Sequence, residues 1–166
     1  MKEIIEIGLV LILLIYIMAQ QLKAQPIDHK TKTYGILFLV GIYFVYQNWQ
    51  DLRWNVGLIG AIILGDLLCP ALFGYLRAQS SRIFIGDDGV INRQGTWLTL
   101  IFWGSFILVR ACFGYFIKGS ETFLLISLAV SLFVQNEITW SNAKHHFPKA
   151  IQKNLAFQAE KQKNRS

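Results

Sequence analysis

Apolar residues occur along this chain in five long runs that short polar connections separate. A helix that crosses the roughly 30 Å hydrocarbon core of a bilayer needs about 20 mainly apolar residues. Backbone amides in lipid must find their hydrogen bonds within the segment itself, so runs of this length favour helices. The sequence therefore predicts an all-α membrane protein, a bundle of about five transmembrane helices, with spans at 4–22, 33–50, 55–76, 96–117 and 121–140.

The composition supports a bilayer as the solvent for most of the chain. Hydrophobic residues make up 54% of the 166 residues and charged residues 16%, a balance too apolar for an ordinary soluble domain of this size. Lys and Arg outnumber Asp and Glu by 16 to 10, but they lie between apolar runs and in the tail, so no nucleic-acid partner is expected. The first run lacks a small-residue cleavage site, which predicts a retained helix and not a signal peptide.

The distribution of Lys and Arg predicts the orientation. Basic residues concentrate in the first connection, the third connection and the C-terminal tail: Lys23, Lys30, Lys32, Arg77, Arg82, Arg93, Lys144, Lys149, Lys153, Lys161, Lys163 and Arg165. With five spans these three segments fall on one side, and cytoplasmic loops carry the excess of Lys and Arg. We therefore expect an outside N-terminus, a single transmembrane domain over 1–140 and a basic cytoplasmic tail over 141–166.

The third connection contains two short β-prone runs around a Gly-Asp-Asp-Gly turn. This pattern predicts a small cytoplasmic β-hairpin over residues 82–93, between the third and fourth helices. An isolated two-stranded hairpin is marginal in water, so this one should rest on the membrane surface or the helix ends. Its carboxylates, Asp87 and Asp88, lack the further oxygen ligands of a calcium loop, which favours a plain turn.

The tail has one periodic feature. Ile151, Leu155 and Ala159 recur every four residues after Pro148, which places them on one face of a short helix. Such a helix could lie along anionic lipid headgroups. The alternative is a partly disordered, positively charged end that only fixes the topology.

Two ionisable residues lie inside the predicted spans, where charge is costly. Asp66 in the third span and Arg110 in the fourth differ in predicted depth by roughly 6 Å, which an arginine side chain can cover. They form a candidate intramembrane polar pair. Either the pair lines a polar cavity for a substrate headgroup or a proton, or it is a structural ion pair, or Arg110 reaches the outer surface while Asp66 is protonated.

Small residues in the third span predict close helix packing. Gly57, Ala61 and Gly65 recur every four residues and form a candidate helix-packing seam. Pro70 in the same helix removes one backbone hydrogen bond and should kink it near its cytoplasmic end.

No metal site, cofactor site or catalytic motif is predicted. His29, His145 and His146 have no Cys or carboxylate partners at metal-ligand spacing. Cys69 and Cys112 differ in predicted depth by roughly 13 Å, which is too far for a disulfide. We therefore interpret both cysteines as small buried hydrophobic residues and not as a thiol redox pair. Walker, dinucleotide, zinc-protease and nucleophile-elbow motifs are absent from the sequence.

The order of parts over residues 34–140 resembles that of the CcdC-like family of small bacterial membrane proteins. The resemblance rests on a helix ending in a basic residue, the hairpin segment IFIGDDGVI at 83–91, and a helix containing ILVR at 107–110. It implies a protein of the bacterial inner or plasma membrane. The family is associated by name with cytochrome c maturation, yet the resemblance supplies no activity and no catalytic residue. Arg110 is the one matching position, with no assigned role.

Three functional hypotheses follow from these features. The first is a non-enzymatic accessory component that packs against a membrane-protein partner or against its own copies. The second is a small membrane carrier that uses Asp66 and Arg110 as a polar site. An odd number of spans without an internal repeat argues against it unless the protein forms a dimer. The third is a membrane thiol or cytochrome c maturation accessory, although the sequence has no CxxCH haem motif.

Overall fold

The computed structural model describes Ala19 and residues 22–28, 31–50, 52, 55–117 and 119–163. The described chain is mostly helical. Its helices are α1 (Thr31–Gln47), α2 (Val56–Ser80), α3 (Trp97–Phe116), α4 (Leu124–His146) and α5 (Ile151–Lys163). Its strands are β1 (Gln25–Pro26), β2 (Arg82–Ile85) and β3 (Ile91–Gln94), and a short 3-10 turn, Ser120–Phe123, precedes α4.

Three of these helices, α2, α3 and α4, are long and apolar enough to cross a membrane. Helix α1 is apolar but shorter, since its 17 residues extend about 26 Å at 1.5 Å per residue. The expectation of a mainly helical chain with spans of membrane length is confirmed for these three helices. The predicted first span, 4–22, lies outside the described residues apart from Ala19 and Leu22.

Helix α4 is the centre of the bundle, because it packs against both α1 and α2, while α3 packs on α2. The helices α2 and α3 are antiparallel: Ser80 Oγ lies 2.9 Å from Thr99 Oγ1 at one end, and Gly65 faces the Phe113 ring towards the other. The chain therefore reverses direction between α2 and α3.

Two glycines allow the helices to approach α4 closely. A Cβ on Gly74 of α2 would collide with the backbone carbonyl of Ser131. A Cβ on Gly41 of α1 would lie 2.8 Å from the side chain and 3.0 Å from the backbone nitrogen of Ile126. Small residues at helix contacts let backbones approach where lipid provides no hydrophobic driving force.

A π-helical segment, Ile62–Leu68, interrupts α2 just before Pro70. Proline has no N–H, so the acceptor left without its usual donor is the carbonyl four residues earlier, that of Asp66. A wider π turn lets such a carbonyl meet a later donor, and π turns inside α-helices often mark functional sites. The kink predicted at Pro70 stays a prediction, and the residues before it form a π segment that contains Asp66.

The strands form one antiparallel sheet in the order β1-β3-β2. The hairpin predicted over residues 82–93 is present, and it pairs Arg82 with Gln94 and Ile85 with Ile91. The prediction of a two-stranded hairpin is incomplete, because Gln25 and Pro26 from the first connection pair with Arg93 and Asn92. A two-residue strand carries no periodic signal, which is why the sequence pattern did not indicate β1.

The predicted tail, 141–166, is not a separate polar extension over its described part. Its first residues belong to α4, which continues to His146, and α5 then folds back over the sheet. Ile151 packs in an apolar cluster with Ile27, Ile91 and Ala143. Leu155, predicted to share the apolar face of this helix, is half exposed, and the buried polar residue Asn154 takes its place.

The sheet, α5 and the end of α4 together form a compact unit that we call the end module. It combines chain from the first connection, the third connection and the tail, the three segments rich in Lys and Arg. Since these segments are in contact, they lie at the same end of the helical bundle.

Candidate functional site

Asp66 and Arg110 meet inside the bundle. Arg110 Nη2 lies 3.0 Å from Asp66 Oδ1, and the two side chains are 6% and 1% exposed respectively. The contact is an ion pair without hydrogen-bond alignment, since neither Asp66 oxygen accepts a hydrogen bond from a described residue. A buried charge pair of this kind repays its desolvation only where the geometry is good. The pair joins the π segment of α2 to the middle of α3.

Arg110 also fixes the turn that leads into α4. Its Nη2 donates a hydrogen bond to the backbone carbonyl of Ser120. The Ser120 hydroxyl in turn donates to the carbonyl of Phe113, at 3.1 Å. Arg110 therefore connects α2, α3 and the 3-10 turn, which favours a structural role for the pair.

A row of buried polar side chains follows α4 at four-residue intervals. It consists of Ser127, Ser131, Gln135 and Thr139, all at most 2% exposed. Both amide atoms of Gln135 and the hydroxyl of Ser127 have no hydrogen-bond partner in the described part of the chain. Residues spaced by four lie on one face of a helix, so this row was visible in the sequence but was not recognised among the apolar residues.

Arg77, which the sequence analysis assigned to a basic connection, is fully buried within α2. Its guanidinium donates to the Ser131 hydroxyl and, at 3.2 Å, to the Phe73 carbonyl. The guanidinium carbon lies 4.1 Å from the centre of the Trp103 ring, a cation–π distance. Arg77 thus links the polar row of α4 to α3 through α2.

A small polar cavity of about 30 Å³ lies where the bundle meets the end module. Its lining includes Asp28, Tyr34, Arg93, Asn136 and Thr139. Burial lowers the pKa of Arg93, while the nearby Tyr34 opposes that shift. The Asn136 amide nitrogen is buried without a hydrogen-bond partner among the described residues. The cavity has room for one or two waters, or for one oxygen of a larger group.

The other residues singled out in the sequence do not join a common site. Gly65 faces the Phe113 ring, and among the described residues Gly57 faces Asn55 of its own helix cap. The side chain of Ala61 lies outside the described part of the chain. The seam of Gly57, Ala61 and Gly65 thus remains a prediction for a partner helix.

The cysteines and histidines are also dispersed. Cys69 and Cys112 are free thiols, and Cys112 is exposed on α3. His145 and His146 are exposed at the end of α4, and His29 lies outside the described residues. Over the described ranges, no three metal-ligating residues form a group.

Comparison with protein-family models, with curated proteins and with solved structures finds no match to this chain.

Proposed function

We propose that this protein is a non-enzymatic accessory component of a bacterial plasma membrane, with five spans, that binds a partner membrane protein through its end module. The observation that carries the proposal is the exposed edge strand β2 of the small sheet.

Because β1 and β2 both pair with β3, Pro26 and Arg82 lie at the same end of the helical bundle. In the proposed topology, α1 and α2 carry the chain across the membrane and back between these two residues. In the same way, α3 and α4 carry the chain across the membrane and back before α5 packs beside Ile91. Together with the predicted first span, the proposed topology has five spans. The excess of Lys and Arg in the module favours a cytoplasmic location for it and for the C-terminus.

In the strand order β1-β3-β2, one side of β2 has no neighbouring strand among the residues that the structure describes. Phe84 and Ile85 of this strand are 37% and 47% exposed. A row of unpaired backbone groups flanked by apolar side chains is the surface to which an extended peptide adds as a further strand. The occupant we propose is an extended cytoplasmic segment of the partner protein.

Hydrogen bonding in the hairpin identifies the backbone groups that would bind it. Gly86 donates its N–H to the Val90 carbonyl at 2.9 Å. In an antiparallel pair, inward and outward N–H groups alternate along the strand. The N–H groups of Ile83 and Ile85 therefore point away from β3, towards the proposed partner strand.

The test is photocrosslinking in cells from a benzoylphenylalanine placed at Phe84. We expect a discrete protein adduct that Ile85→Pro abolishes, because proline removes an outward N–H without removing a bond to β3. The matched control Ile85→Thr keeps the N–H and should keep the adduct. Equal adducts from the Pro and Thr variants, or no protein adduct at all, would refute the edge-strand proposal.

A second candidate is a small carrier, and the polar row of α4 favours it. Ser127 and Gln135 carry buried polar atoms that have no hydrogen-bond partner among the described residues, and the Asp66–Arg110 pair lies in the same bundle. Buried polar groups without partners are costly, and inside a membrane they often mark the path of an ion or a polar solute. Vesicle flux that depends on Asp66 and Gln135 in a well-folded protein would move this candidate ahead of the accessory function.

A further inference from the structure

An open apolar groove runs between α1 and α4. It encloses about 300 Å³ and is lined by Tyr34, Gly35, Phe38, Ala129, Val130 and Phe133. Phe38 and Phe133 are partly exposed at its rim. A groove with this lining, on helices of a membrane bundle, faces an apolar solvent and not water.

The groove ends at a polar site. Tyr34 lines both the groove and the small cavity that contains Arg93 and Asn136. Asn136 is buried, with 8% of its surface exposed. Its amide nitrogen is a donor without a partner among the described residues. A buried donor without an acceptor is destabilising, so an acceptor oxygen supplied from outside the chain would be favourable there.

The charges at this end suit an anionic group. Arg93 lies in the cavity wall, and the fully buried Arg77 is close enough to interact with Arg93 electrostatically. Asp28 is the acidic residue of the cavity lining. Two guanidinium groups and one carboxylate leave a positive balance beside Tyr34.

We propose that the groove and cavity form a binding site for one phospholipid of the leaflet next to the end module. One acyl chain lies along Gly35, Phe38 and Val130, and a phosphate oxygen accepts a hydrogen bond from Asn136 beside Arg93. The orientation matches a bilayer, because the polar end adjoins the end module and the groove extends along α1 away from it. This inference is independent of the partner proposed for β2.

Gly35 makes the acyl-chain part of the site testable. A Cβ on Gly35 would meet no described atom within 4 Å, so a larger side chain there would enter the groove without a clash. Gly104 on α3 has the same open surroundings but lies outside the groove. Gly35→Leu and Gly104→Leu are therefore a matched pair.

The experiment measures phospholipid retained by the full chain, by native mass spectrometry after extraction from nanodiscs of phosphatidylglycerol and phosphatidylcholine. We expect one tightly held phosphatidylglycerol on the wild-type protein and on Gly104→Leu, and about a tenfold weaker affinity for Gly35→Leu. Asn136→Asp replaces the donor with an anion of similar shape. It should weaken the binding of phosphatidylglycerol more than the binding of phosphatidylcholine.

Each outcome bears on the proposal. Equal retention by Gly35→Leu and Gly104→Leu would overturn the acyl-chain site. If Asn136→Asp retained phosphatidylglycerol as the wild type does, the headgroup position would be wrong. Both variants can be checked for folding by their thermal midpoints, and Asn136→Asp serves as the second test should Gly35→Leu unfold. A failure to crosslink a partner protein to β2 would not affect these measurements of lipid retention.

Discussion

The side-chain amide of Asn154 in α5 binds both backbone groups of Ile91 in β3. Asn154 Oδ1 accepts the Ile91 N–H at 2.7 Å, and Asn154 Nδ2 donates to the Ile91 carbonyl at 2.9 Å. The same Nδ2 donates to the carbonyl of Ile27 at 3.0 Å. One buried amide thus holds the C-terminal helix against the sheet and the chain beyond β1.

Asn154→Ala should release α5 from the sheet. The substitution leaves the Ile91 N–H buried without its acceptor, which costs about 1–3 kcal/mol. We expect faster amide hydrogen exchange at Ile91 and across α5, while α2 and α4 keep their protection. The control Gln152→Ala, on an exposed position of the same helix, should exchange like the wild type. Unchanged protection in Asn154→Ala would show that the amide contributes little.

Gly74→Ala should destabilise the bundle, because its Cβ would collide with the Ser131 carbonyl at the contact of α2 and α4. Overpacking of this kind costs about 1–3 kcal/mol. Gly60→Ala is the control on the same helix, since its Cβ meets nothing within 4 Å. The thermal midpoint of the detergent-solubilised protein should fall for Gly74→Ala and not for Gly60→Ala. A similar effect of the two substitutions would argue against this close contact.

Asp66→Asn and Arg110→Gln should each reduce the amount of folded protein in the membrane. Removal of one partner leaves an unpaired buried charge, at a cost of about 3–5 kcal/mol. The double variant has no such charge, so we expect it to recover much of the lost protein. Immunoblotting of membrane fractions measures all three. Normal levels in every variant, combined with a lost phenotype, would contradict the structural role and favour the carrier.

The helices α1 to α4 were predictable because each carries a long apolar run, and the hairpin because Gly-Asp-Asp-Gly lies between two β-prone runs. Helix α4 extends beyond its predicted end at 140, since polar residues continue a helix once it leaves the apolar segment and packs on the sheet. Asp66 and Arg110 were identifiable because charges are rare in apolar runs.

The polar contacts between distant segments were not predictable. Asn154 lies 63 residues from Ile91 and 127 from Ile27, and no local pattern links an amide in a basic tail to β3 and to the residue after β1. Arg77 was counted as a surface charge because it lies near the end of an apolar run. Its burial depends on Ser131 and Trp103, which only tertiary packing brings to it.

In the proposed topology, the first connection, the hairpin and the tail all lie on the cytoplasmic side of the membrane. The most direct test is labelling of single cysteines by a membrane-impermeant maleimide, in a Cys69→Ala and Cys112→Ala background. Ala24→Cys, Asp87→Cys and Gln152→Cys should label only after cells are permeabilised, whereas Gln50→Cys, beyond the far end of α1, should label in intact cells. Labelling of any of the first three in intact cells would contradict the account.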